Sequence, residues 1–161
     1  MNTPFDIFFS NYPHSWGWAT WRNRWSLFSF RLPNEEHNFN VNKYDFLDKE
    51  SKKYWLDIFR KTQAGTIDAW DYQWFHTLWR NQGVSIIPKY NLVTNIGFGD
   101  NATNTTEKDD RFSKLITCEF ELSKFPHEDD VNLEFDVAFF NTYLRQSFKL
   151  KTLLKRIIFL R

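Results

Sequence analysis

Tryptophan is unevenly distributed along this chain. Seven of the eight fall within residues 16–25 and 70–79, the eighth is Trp55, and none follows Trp79. An indole ring has a large apolar surface and one N–H that needs a partner when buried. The plainer explanation of the two windows is core filling. Taken together, however, the two windows mix Trp, Tyr and His with Arg and Asp, which also suits a sugar-binding cleft. In such a cleft aromatic faces stack on sugar C–H surfaces, while carboxylates and guanidinium groups fix hydroxyls or phosphates. With 18 Phe and 6 Tyr the aromatic share reaches 20%, against 5 Gly and 5 Pro, which excludes disordered and fibrous classes.

At 161 residues the chain suffices for one modest domain. Its single cysteine, Cys118, forms no intramolecular disulfide, so a cystine-stapled scaffold is excluded. No run of eighteen apolar residues is present, and no basic region followed by an apolar one comes after Met1. A cytoplasmic protein is therefore expected. Net charge is +1, but residues 145–161 carry six bases and no acid, leaving 15 bases against 20 acids in the body. An acidic body argues against nucleic acid as the partner. In the tail Leu150, Leu153, Leu154, Ile157, Ile158 and Leu160 recur among the bases at helical spacing. Three readings stand: an amphipathic helix on the inner face of the plasma membrane, a C-terminal helix docked on the core, or an interface to a missing partner segment.

Hydrophobic periodicity predicts a strand over 5–12 and a helix over 16–28 with Trp18, Trp21 and Trp25 on one face. Residues 31–45 read as a loop. A helix follows over 50–63, with Tyr54, Trp55, Ile58 and Phe59 on its face and Gly65 past its end. Another spans 68–82, with Asp68 as N-cap, Trp70, Trp74 and Leu78 on its face, and Gly83 closing it. Residues 84–87 and 91–96 read as strands around a turn at Pro88, 97–110 as a polar loop and 115–122 as a strand. Residues 130–147 read as a helix with Leu133, Val137, Phe140 and Leu144 inward.

Residues 97–102 match G-x-G-x-x-A after a strand, but residues 103–110 lack the apolar face that a following dinucleotide-binding helix needs. Asn101 and Asn104 head formal glycosylation sequons without a secretion signal. The acids after His127 are explained by a helix N-terminus. No zinc spacing, P-loop, G-x-S-x-G or H-E-x-x-H occurs.

Three stretches carry a resemblance. They are Phe9-Ser-Asn-Tyr-Pro-His-Ser-Trp-Gly-Trp-Ala-Thr-Trp-Arg-Asn-Arg-Trp25, then Trp70-Asp-Tyr-Gln-Trp74 leading to Trp79-Arg-Asn-Gln-Gly-Val-Ser-Ile-Ile-Pro88, then Asn91-Leu-Val-Thr-Asn-Ile-Gly-Phe-Gly99. In order and spacing they resemble the C-terminal half of bacterial GT-A-fold nucleotide-diphospho-sugar glycosyltransferases, a group also labelled hemolytic-protein-like. The resemblance covers roughly residues 5–127. It implies an α/β fold (mixed α+β for this portion), namely the acceptor-side half of a GT-A-like domain over 1–127, followed by a C-terminal helical segment over 128–161. The nucleotide-binding half, with its strand and Asp-x-Asp motif, is expected to be missing.

The resemblance also implies an inverting sugar transfer from a nucleotide diphosphate to an acceptor hydroxyl, with Mg²⁺ or Mn²⁺ as cofactor. It assigns Asp71 as the general base. Trp16, Gly17, Trp18, Arg22, Trp70, Tyr72, Gln73, Asn95, Gly97 and Gly99 are the implied substrate contacts. In the family the last loop ends in Ala-Thr-His-Thr; here Asn104 replaces that histidine, a poorer transition-metal ligand. The implied partners are a nucleotide sugar, a glycan acceptor and the missing half, without which activity is not expected. Two other readings remain: a non-catalytic carbohydrate-binding module, and a structural remnant that pairs with the missing half.

Overall fold

The computed structural model describes residues 3–32, 44–94, 96, 115–127 and 131–145. Its elements are β1 (Ile7–Ser10), α1 (Arg22–Trp25), α2 (Lys49–Gln63), α3 (Asp71–Arg80), β2 (Ser85–Pro88) and α4 (Leu133–Phe139). The last runs on as a π-helical turn over Phe140–Leu144. The architecture is mixed α+β, with helices packed beside a two-stranded antiparallel sheet. Among the described residues no helix is long and apolar enough to cross a membrane.

Helix α2 forms as its sequence predicts. The Asp48 carboxylate accepts the Ser51 N–H at 2.7 Å, Glu50 lies in the first turn, and Arg60 and Lys61 lie in the last. Gly65 ends the helix at φ +69°, a left-handed geometry that costs glycine little. Its inner face buries Tyr54, Trp55, Ile58 and Phe59. Trp55 is fully buried, with ring centroids 4.6 Å from Phe75 and 4.9 Å from Trp79 on α3. Tyr12 completes this core from the segment after β1, and Phe140 closes it from the C-terminal helix.

Helix α3 begins at Asp71, not at residue 68. Trp70 occupies the N-cap position without a side-chain cap, and Asp68 lies outside the helix. At the other end Gln82 takes the left-handed conformation (φ 53°), and the Gly83 N–H reaches Leu78 O at 2.8 Å. A Cβ on Gly83 would lie 2.8 Å from a Leu78 methyl.

Strand β2 pairs with β1, in the register Ile7 with Pro88, Phe8 with Ile87, Phe9 with Ile86 and Ser10 with Ser85. The expected second strand after Pro88 does not form over the described residues 91–94. There the Asn91 side chain donates to Val93 O at 2.9 Å and accepts the Val93 N–H at 3.4 Å, a local turn that competes with a ladder. Residues 115–122 are likewise irregular rather than a strand, with Leu115, Ile116 and Leu122 exposed. They are tethered by the Cys118 N–H to Asn91 O at 3.1 Å.

The C-terminal helix starts at Leu133, with the Asn132 side chain accepting the Phe135 N–H at 2.9 Å. Its inner face is the expected one in part: Phe140 is buried and Leu144 packs against the core, but Leu133 and Val137 remain exposed and Asp136 is buried instead. Asp136 is held by β1 and its exit: it accepts from Ser10 Oγ at 2.5 Å, from the Asn11 N–H at 3.1 Å and from Asn11 Nδ2 at 2.8 Å. Phe140, four residues on, shares that face with Asp136, and Val137 lies off it. The tail after residue 145 and residues 128–130 lie outside the described residues.

Candidate functional site

Helix α3 presents aromatic residues in two directions. Phe75 and Trp79 face the core around Trp55, whereas Trp70 and Trp74 face the segment that follows β1. That segment was expected to be helical over 16–28, but only the single turn α1 forms. Trp18 nonetheless meets Trp25 at 5.6 Å between centroids, Trp70 at 5.2 Å and Trp74 at 5.7 Å. Phe28 stacks on Trp25 at 4.5 Å with 8° between planes, and Phe30 abuts Phe28 edge-on at 4.8 Å. Trp74 is buried beneath these rings. Trp18, Trp25, Phe28, Phe30 and Trp70 line an open cleft of about 300 Å³. The two tryptophan windows therefore close on one site.

The third stretch adjoins it. Gly17 has φ +61°, and a Cβ placed there would lie 2.4 Å from a Val93 methyl. Glycine is needed at 17 both for its backbone geometry and for this close approach. The Trp16-Gly17-Trp18 loop thus rests on the residues leading into Asn95, Gly97 and Gly99. Those three and Asn104 lie outside the described residues.

The remaining predicted residues divide. Trp18 and Trp70 line the cleft, while Trp16 is exposed beside it in the loop and Arg22 is exposed on α1. Tyr72 turns toward the core, its ring 6.2 Å from Trp55, and burial raises its hydroxyl pKa. The Gln73 amide lies 3.5 Å from Phe30 O, and its alternative orientation donates to Ala69 O at 2.6 Å and Trp70 O at 3.2 Å. Gln73 thus ties the α3 N-terminus rather than extending into the cleft. Asp71 adjoins Trp70 without lining the cleft. It accepts the Tyr72 N–H at 3.1 Å, and burial raises its pKa above the usual carboxylate value despite that bond.

Trp25, Phe28, Phe30 and Trp74 were absent from the predicted contacts. Trp25 and Trp74 sit within the two windows, so their clustering carried the signal. Phe28 and Phe30 follow as an alternating pair that a helical reading of 16–28 obscured.

A second group of polar side chains supports the segment from below. His14 packs between Phe139 (4.5 Å) and Phe135 (5.8 Å) with Nε2 buried and unpartnered, and burial pushes its pKa down to about 4. Asp136 lies close in the same layer; burial raises its pKa, while its bonds to Ser10 and Asn11 oppose the shift.

Among the described residues no three His, Cys, Asp or Glu side chains converge, so these residues do not fit a divalent metal by themselves. Comparison with protein-family models, with curated proteins and with solved structures finds no match.

Proposed function

We propose that this chain is the acceptor-side half of a nucleotide-sugar glycosyltransferase of GT-A-like fold, and that the aromatic cleft receives the acceptor. One observation carries the reading: two tryptophan windows separated by some 45 residues in sequence converge on one open cleft, with Gly17 packed against the third stretch. Exposed indole faces at this spacing suit the C–H faces of a sugar ring. In the transfer, the acceptor hydroxyl gives its proton to the Asp71 carboxylate as its oxygen bonds to the donor C1. The bond from C1 to the diphosphate breaks, the diphosphate leaves with the electron pair, and C1 inverts. Desolvation of Asp71 favours this role, because a raised pKa makes the carboxylate a stronger base. Arg22 would face the diphosphate, and the complementing half would bring the nucleotide and the divalent metal.

The test supplies a nucleotide-binding half in trans or by fusion, with a nucleotide sugar and Mg²⁺ or Mn²⁺. Transfer should appear, and Asp71→Asn should lower its rate by about 100-fold or more. Unchanged transfer by Asp71→Asn removes Asp71 as base.

A second reading, a non-catalytic carbohydrate-binding module, is favoured by the purely aromatic lining of the cleft and by the position of Asp71 outside it. It predicts glycan binding by the isolated chain that is independent of nucleotide and lost in Trp18→Ala.

A further inference from the structure

We infer that the face formed by residues 16–31 docks on an anionic lipid bilayer. Its large side chains point outward to an unusual degree: Trp21 is 68% and Phe30 71% exposed, and Trp16, Trp25 and Leu27 are all more than 40% exposed. They are contributed by one short stretch. The Trp25 N–H bonds to Trp21 O at 2.9 Å and the Leu27 N–H to Arg24 O at 3.1 Å, so α1 and the turn after it hold these residues on neighbouring positions.

Charge identifies the occupant. Between Asp6 and Glu35 the sequence contains no acid, and Arg22, Arg24 and Arg31, all exposed, are interleaved with the rings. The acids that flank Trp70 in sequence, on the other wall of the cleft, are Asp68, exposed, and Asp71, half-buried at the start of α3. Tryptophan and phenylalanine settle at the headgroup boundary, and arginine bonds lipid phosphates there. Each base close to an anionic surface adds to the attraction. A protein partner on this face would need three carboxylates placed to meet these guanidinium groups, whereas an anionic bilayer presents phosphates to all three without any such match. This inference is separate from the basic tail, because it rests on residues that carry tryptophan.

That difference supplies the test. All eight tryptophans lie between residues 16 and 79, four of them (Trp16, Trp18, Trp21 and Trp25) in this face, so tryptophan emission carries a signal from this face and none from the tail. The full chain is mixed with phosphatidylcholine vesicles and with vesicles containing 30% phosphatidylglycerol, each with and without brominated acyl chains. Emission should shift to the blue and be quenched by brominated lipid on the anionic vesicles. Trp21→Ser with Leu27→Ser, neither of which lines the cleft, should weaken the partition about tenfold, and Arg24→Gln with Arg31→Gln should weaken it on anionic vesicles alone. Binding to vesicles without quenching by brominated lipid assigns the contact to the tail and overturns the inference. So does an absence of binding, or a partition unchanged in both double variants while their circular dichroism remains native.

Discussion

Helix α3 separates two aromatic clusters made of the same residue types. On one side Trp55, Phe75, Trp79 and Tyr12 pack in a closed core, where Trp79 donates its indole N–H to Asn11 O at 2.6 Å. On the other, Trp18, Trp25, Phe28 and Trp70 make contacts of similar length but leave a cleft open to solvent. Ring-to-ring distance does not distinguish them. What does is the layer above: α2 and the C-terminal helix cover the first cluster, whereas among the described residues only the turn around α1 adjoins the second. Aromatic side chains that pay the cost of ordering without being covered are the kind that ligands use.

The largest expected effect falls on the core side. Trp55→Ala should destabilise the chain by about 3–5 kcal/mol, since a fully buried indole leaves a cavity that α2 and α3 fill only in part. Urea denaturation followed by circular dichroism measures this. A loss below about 1 kcal/mol would mean that the core is not organised around Trp55.

The contact between the segment after β1 and the C-terminal helix should respond to pH through His14. Its pKa falls from 6.5 in the unfolded chain to about 4 when folded. The folded state therefore binds fewer protons between those values, and stability present above pH 6.5 is lost as pH falls toward 4, by about 3 kcal/mol in total. Asp136, whose folded pKa is raised, acts in the opposite direction: its contribution is full below pH 3.8 and declines as pH rises through the folded value. The difference between wild type and His14→Gln isolates the histidine. Denaturation midpoints of the two should converge as pH falls from 7 to 4, and parallel curves would show that His14 is not buried as a neutral ring.

The core side was the more legible in sequence. The apolar spacing over 50–63 and Gly65 marked α2 and its end, because periodicity and breaker agree there, and the Asp48 cap was seen only in the structure. The cleft was legible only as two clusters of tryptophan. Trp18, Trp21 and Trp25 have helical spacing, yet four residues of helix form: the rings of Trp18 and Trp25 meet each other and those of Trp70 and Trp74, while Trp21 stays exposed. In the C-terminal helix periodicity held for Phe140 and Leu144 but not for Leu133 and Val137, where the buried hydrogen bonds of Asp136 outweigh the apolar claim of Val137. The pairing of β2 with β1 across some 75 residues left no local trace, since the β2 residues read equally well as half of a hairpin with the segment after Pro88.

The smallest effect on stability, and the sharpest separation of the two clusters, is expected for Trp18→Ala. Trp18 is partly exposed and meets Trp25 and Trp70 in the cleft and Trp74 beneath it, so its removal opens the cleft down to Trp74 instead of creating a closed void. The cost should be about 1 kcal/mol or less, well below that of Trp55→Ala. Any glycan affinity of the isolated chain should fall at the same time, because an aromatic face in direct contact with a ligand carries a large share of its binding. Denaturation and glycan titration on one preparation measure the two quantities together. A stability loss equal to that of Trp55→Ala would merge the clusters into one core and leave α3 with no open side.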